Sequence, residues 1–164
     1  MLKSRLISKL TSEIYDFLKQ RTDAFTIGKE GIRENDTLPP NVSLYELYDE
    51  HNMDASIGFI LLDKDTPYGN LDTEYEIILG IFDEYRKKDY GSKCINNLVT
   101  LLPNENWNNV TIKATVKKTN EDRNFIIKIL NAIYTKHFHK TKNKCEKYED
   151  DVLVEYRISA NLFG

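Results

Sequence analysis

Arg86, Lys87, Lys88 and Lys93 crowd positive charge around the short turn Arg86-Lys-Lys-Asp-Tyr-Gly-Ser92. A glycine-ended turn of this kind is suited to holding phosphate. Its exposed backbone amides, together with the positive end of a following helix dipole, attract an anion without relying on any one side chain. The flanking residues supply the elements such a turn needs. Glu76 to Phe82 is rich in Ile, Leu and Phe, as a buried strand is, while Cys94, Ile95, Leu98, Leu101 and Leu102 fall on one helical face. The spacing therefore predicts a strand, a phosphate-binding turn, and an amphipathic helix that ends at Pro103. Glu74 and Glu76 stand two apart on the same strand, so both carboxylates point to one face, where they can accept a proton or simply stay solvated.

Other residues with chemical potential carry less. His137 and His139 flank Phe138 on a predicted strand and share a face, but a closed zinc site takes four ligands and no third or fourth stands at a recognisable spacing, so no metal is expected. The lysine-rich run from Lys136 to Lys147 reads as a solvated strand pair or as a surface for an acidic partner. Trp107 is expected to anchor the Asn-rich loop around it.

The elements around the turn follow a readable order. Residues 44 to 49 and 56 to 63 predict two strands joined by a turn at His51-Asn-Met-Asp54. Val110, Ile112, Ala114 and Val116 alternate with polar residues in a further strand. Asn120 opens a second helix, on which Phe125, Ile126, Ile129, Leu130 and Ile133 keep helical spacing, and Val152 to Ile158 predicts the last strand. At the amino end, Leu2, Leu6, Leu10, Ile14, Phe17 and Leu18 predict one amphipathic helix, whose charges Lys3, Arg5, Lys9 and Glu13 exclude a membrane span or a secretory signal core. Ala24 to Ile27 is a short candidate strand, and Gly28 to Pro40 reads as a loop, either a plain connection or a cover for a cleft.

Arg86-Lys-Lys-Asp-Tyr-Gly91, preceded by Glu84-Tyr85 at the strand's end, resembles the acyl-CoA signature of the GNAT superfamily of N-acyltransferases. Asp89 stands where that signature has its first glycine. The order strand, hairpin, cradle, helix, strand, helix, strand over residues 44 to 158 is similar to that family as well. The resemblance implies an α/β fold, with a central twisted mixed sheet flanked by helices, in a single domain over 1–164 whose least typical part is 1–42. The amino-terminal reading leaves the family's first strand lost or displaced.

The resemblance also implies an activity, the transfer of an acetyl group from acetyl-CoA to a primary amine by direct attack. Ile81 and Phe82 would lie where the signature strand splays from its neighbour, holding the pantetheine arm and polarising the thioester carbonyl. The pyrophosphate would sit on the amides of Lys87, Lys88, Asp89, Tyr90, Gly91 and Ser92, with Arg86 and Lys88 as charge partners, and Asn120 would border the same site. A lysine-type amine costs about 4.6 kcal/mol to deprotonate at pH 7, from a pKa near 10.4, so a base is expected. The family's carboxylate position falls on Glu76, with Glu74 in reserve. The family's tyrosine acid, seven residues beyond Asn120, falls on Ile127, and Asn131-Ala132 replaces the usual Gly-Phe. Tyr134 is the remaining candidate acid, or else a packing residue. These departures leave open a catalytically degenerate GNAT-fold module that binds CoA or another protein. The acceptor would be an amine-bearing small molecule or a protein amine.

At 164 residues and 40% hydrophobic composition the chain can bury a sizeable core. A formal net charge of −3 argues against a general nucleic-acid binder. Cys94 and Cys145 form neither a disulfide framework nor a metal spacing, which points to a cytoplasmic protein. The amino-terminal helix could pack on its own domain or on a second copy in a homodimer.

Overall fold

Leu2, Leu6 and Leu10 are spaced four apart, an interval that suits a helix but, being even, also keeps all three on one side of a strand. The computed structural model resolves this ambiguity against the single amino-terminal helix. Leu2–Ile7 is a strand (β1), and the helix (α1) starts only at Ser12 and runs to Arg21. Thr11 separates them as the cap of α1. Its Oγ1 accepts from the Ile14 amide at 3.3 Å and its carbonyl from the Tyr15 amide at 2.9 Å. The first strand is therefore present and in place, neither lost nor displaced.

The structure describes residues 2–21, 37–65, 73–86, 90–102, 107–117, 123–138, 146–149 and 153–159. Lys87, Lys88, Asp89, Asn120, His139 and the candidate strand Ala24 to Ile27 lie outside them. The elements continue with strands β2 (Val42–Asp49), β3 (Asn52–Asp65) and β4 (Thr73–Ile81), helix α2 (Tyr90–Leu101), strand β5 (Val110–Lys117), helix α3 (Arg123–His137), and strands β6 (Glu146–Glu149) and β7 (Leu153–Ser159). Together the strands make one mixed sheet in the order β1-β2-β3-β4-β5-β7-β6, antiparallel except where β4 meets β5.

Alternation along the strands divides the core in two. On one face, Leu10 ahead of α1 and Ile14 and Leu18 within it pack on Leu44, Phe59, Leu61, Ile78 and Phe82. On the other, Cys94 and Leu98 of α2 and Ile126, Ile129, Leu130 and Ile133 of α3 pack on Ile60, Leu62, Ile77, Ile112 and Val154. Each fully buried aliphatic or aromatic side chain contributes about 1.5–3 kcal/mol of transfer free energy. Glu46 is the buried charged residue among those described, and the Arg5 guanidinium pairs with it across β1 and β2.

His137 belongs to α3 rather than to a strand, because the apolar helical spacing from Phe125 carries on through Tyr134. Its Nε2 donates to the Val99 carbonyl at 2.9 Å, in the last turn of α2, and its ring stacks on Trp107 at 4.5 Å. Trp107 also meets Phe138 edge-on at 5.6 Å, so it holds the short turn Trp107–Asn109 against the ends of α2 and α3.

Two features carry direct tests. A Cβ built on Gly58 of β3 would lie 2.1 Å from the Gly80 carbonyl oxygen of β4, a backbone atom that cannot move aside. Gly58→Ala is expected to lower stability by about 1–3 kcal/mol or more; an unchanged urea midpoint would show that the two strands do not approach so closely. The Cys94 thiol is pushed by burial from 9.0 up to about 12, so near pH 8 its thiolate fraction is about a thousandfold below that of an ordinary cysteine. In a Cys145→Ser background, Cys94 should resist iodoacetamide in the native state and react on unfolding. The same raised value favours the folded state below pH 9 and is lost as pH climbs toward 12.

Candidate functional site

The parallel pair at the centre of the sheet comes apart. β4 and β5 keep register only from Thr73 opposite Val110 to Glu76 opposite Lys113. Beyond that point β4 stays with β3, from Leu62 opposite Ile77 to Gly58 opposite Ile81, while β5 follows β7 through Lys117 opposite Leu153. The sheet thus opens into a gap between Ile77–Ile81 and 114–117. The Phe82 amide donates to the Ile57 carbonyl at 2.9 Å, which fixes the alternation. Even-numbered residues of β4 turn their peptide groups toward β3, and Leu79 and Ile81 turn theirs toward the gap. Of the two residues expected from the sequence, Ile81 therefore offers its amide to the gap, whereas Phe82 spends its amide on β3. Leu79 is the residue sequence reasoning missed. Its signal was parity, since the residues that share an open strand edge with Ile81 must be odd.

The turn after β4 runs into the start of α2. The Arg86 Nε donates to the Ile81 carbonyl at 3.2 Å and lies 3.3 Å from the Asp83 carboxylate, so this guanidinium ties the turn back to the gap's edge. Tyr90, Gly91 and Ser92 form the first turn of α2, whose amides have no partners within the helix. The Tyr90 hydroxyl donates to Asp49 Oδ2 at 3.4 Å, and its ring meets Tyr85 edge-on at 6.0 Å. Lys93 places its ammonium 5.6 Å from the Tyr90 ring centre. The His51 amide is the first of the groups that hold the Asp49 carboxyl below its ordinary value. Burial, followed by the charge of Asp49, raises the Tyr90 hydroxyl.

The carboxylates lie on the opposite face. Glu74 and Glu76 project to the α1 side, in line with Ile78, Gly80 and Phe82. Glu74 is bracketed by Lys113 Nζ at 3.6 Å and Arg157 at 3.4 Å, and Arg157 also binds Glu155 at 2.7 Å, so Glu74 cross-links β4, β5 and β7. Glu76 stands at the last paired position before the gap, half-buried, with Asp63 and Lys113 as its neighbours in register. Tyr134 is 4% exposed within α3, with its ring 5.6 Å from Phe138, and belongs to the α2–α3 core. Asn131 and Ala132 lie inside α3 rather than after it.

Taken together, the site offers backbone N–H groups that can polarise a carbonyl in the gap. It also offers a positive helix end on one face that can hold an anion, and a carboxylate on the other that can take a proton. Among the described residues no cluster of His, Cys, Asp and Glu could hold a metal ion, and no helix is long and apolar enough to cross a membrane.

No family model matches this sequence, and no curated protein is similar to it at a significant level. Solved structures are. A protein assigned as a phosphinothricin N-acetyltransferase superposes with a TM-score of 0.59 at 16% identity, over 98% of this chain and 99% of that one. Arabidopsis thaliana NAA60 in complex with acetyl-CoA gives 0.52 at 14% identity, over 98% and 99%. A dodecameric spermidine N-acetyltransferase from Vibrio cholerae gives 0.51 at 14% identity, over 98% and 94%. Likeness at these identities is likeness of fold, and with a sheet that is mixed and seven-stranded among the described residues and parted between β4 and β5, this chain has the fold of the GNAT acetyltransferases.

Proposed function

We propose that this protein is an acetyl-CoA-dependent N-acetyltransferase that acts on a primary amine by direct attack. The observation that carries the reading is the gap itself, edged by the Leu79 and Ile81 peptide groups and opening beside the amino end of α2. A CoA thioester suits both parts at once. Its diphosphate is the anion a helix start favours, and its pantetheine amides need backbone partners that an unpaired strand supplies. A neighbour of the same fold holds acetyl-CoA, and others are named for amines such as spermidine, which supports the donor and the acceptor class.

In this reading the Leu79 or Ile81 amide polarises the thioester carbonyl. Glu76, at the mouth of the gap on the other face, takes the proton that the attacking amine must lose, directly or through water. The new C–N bond forms as the C–S bond breaks, and the thiolate leaves with the electron pair. A thiol with pKa near 8.5 is a fair leaving group, so burial of Tyr134 is no obstacle. Glu74 holds Lys113 and Arg157 in place and is the lesser candidate for base. The amides of Lys87, Lys88 and Asp89, with Asn120, which precedes α3 in the sequence, would complete the proposed donor site.

Thermal unfolding tests the donor directly. Acetyl-CoA at about 100 times its dissociation constant should add about 2.7 kcal/mol of stability; no shift at millimolar acetyl-CoA would overturn the reading. Glu76→Gln tests the chemistry. Turnover at pH 7 should fall by ~10² to 10⁴ while acetyl-CoA affinity is retained, and the deficit should narrow at high pH as the amine deprotonates itself. Wild-type turnover in this variant would remove Glu76 from the mechanism. Binding of acetyl-CoA without release of free thiol across a panel of amines would identify a CoA-binding module instead.

A further inference from the structure

Gly80 sits between Leu79 and Ile81 on the splayed part of β4, and its α1 face is occupied by aromatic rings. A Cβ built there would lie 2.4 Å from Phe59 Cε1 and 2.8 and 2.9 Å from Phe17 Cε1 and Cζ. Three rings close over this point. Phe17 of α1 meets Phe59 edge-on at 5.3 Å and Phe82 at 6.2 Å, and Phe59 lies 6.3 Å from Phe82. The strand backbone is therefore in direct contact with a wall of rings at the position flanked by the two gap-facing peptides.

We infer that Phe17, backed by Phe59 and Phe82, limits the length of the acyl group, admitting acetyl and rejecting longer chains. The inference rests on the acetyltransferase reading and adds a specificity-determining residue to it. The anion-binding helix start lies with α2 on one face of the sheet, and Glu76 lies on the other, so the thioester must reach through the gap toward the α1 face. An acyl chain continuing in that direction passes Gly80 and meets Phe17. Because Gly80 already presents no side chain, the strand itself can yield no further space. Of the two rings nearest Gly80, Phe59 is fully buried within β3, whereas Phe17 lies on α1 and is partly exposed, so Phe17 is the ring whose truncation opens space.

The test compares binding of CoA, acetyl-CoA, butyryl-CoA and hexanoyl-CoA by titration calorimetry to the wild-type protein, Phe17→Leu and Phe17→Ala. Thermal unfolding identifies which variants are folded, and Phe17→Leu keeps an apolar group under the helix should the larger truncation fail to fold. The wild type should bind hexanoyl-CoA at least ~10-fold more weakly than acetyl-CoA, since pocket walls discriminate by roughly 10- to 200-fold per small steric change. Each folded variant should raise the ratio of hexanoyl to acetyl affinity by ~10-fold, Phe17→Ala more than Phe17→Leu. If the wild type binds both donors equally, or if the ratio does not move in a folded variant, the inference fails while the acetyltransferase reading stands. If the wild type binds none of the four, both fail together.

Discussion

β4 has two neighbours and cannot follow both. Its antiparallel pairing with β3 extends over eight residue pairs, from Asp65 opposite Glu74 to Gly58 opposite Ile81, whereas its parallel pairing with β5 lasts for four. β5, in turn, is held along Thr111–Lys117 by β7. Antiparallel ladders are slightly more stable per residue than parallel ones, so the parallel seam between the two antiparallel blocks is where the sheet parts. Everything proposed about function depends on that parting. A buried peptide group without a partner costs about 1–3 kcal/mol, and the edge at Leu79 and Ile81 is correspondingly ready for a ligand that brings hydrogen-bonding groups of its own. Arg86 already takes up one such group, the Ile81 carbonyl.

The two faces of the sheet divide the electrostatic work. On the α2 face the helix start and Lys93 supply positive potential. On the α1 face Glu74 and Glu76 supply negative charge, and the structure sorts two carboxylates that look alike in sequence. Glu74 faces two cations across three strands, a linkage that is part-exposed and therefore worth little in net stability, but one that fixes its orientation. Glu76 stands two pairs closer to the gap. In the proposed reading the sheet between the two faces would keep a bound phosphate away from the carboxylates, which would otherwise oppose its binding, with the gap as the passage between them.

Close packing around the gap explains two glycines that composition alone would not single out. Gly58 and Gly80 let β3 and β4 approach backbone to backbone and let Phe17 and Phe59 lie against the strand. The far end of the core is tied separately. There His137 takes up a carbonyl in the last turn of α2 that has no helical partner, and Trp107 stacks on the same imidazole, so α2 is fixed at both ends relative to the sheet.

Alternation and helical spacing in the chain were enough to determine the elements from β2 through β7 apart from the short β6, the mixed α/β class, and the basic turn leading into α2. These are local properties, set by which side chains repeat at two or at 3.6 residues. The same local logic failed for Leu2, Leu6 and Leu10, because an interval of four satisfies both periods and only pairing with β2 selects the strand. At His137 the strand reading stopped the helix too early, since the helical spacing from Phe125 carries on through Tyr134 and brings His137 to α2 and Trp107. The local logic placed Glu74 and Glu76 on one face, and only the family resemblance put Glu76 ahead of Glu74; the ion pairs that occupy Glu74 depend on Arg157, from the far end of the chain. It reached Ile81 but took Phe82 with it, because which amide turns toward the gap depends on the neighbour a strand pairs with. Side-chain periodicity is written residue by residue in the sequence; the partners of a backbone edge are decided only when distant strands meet.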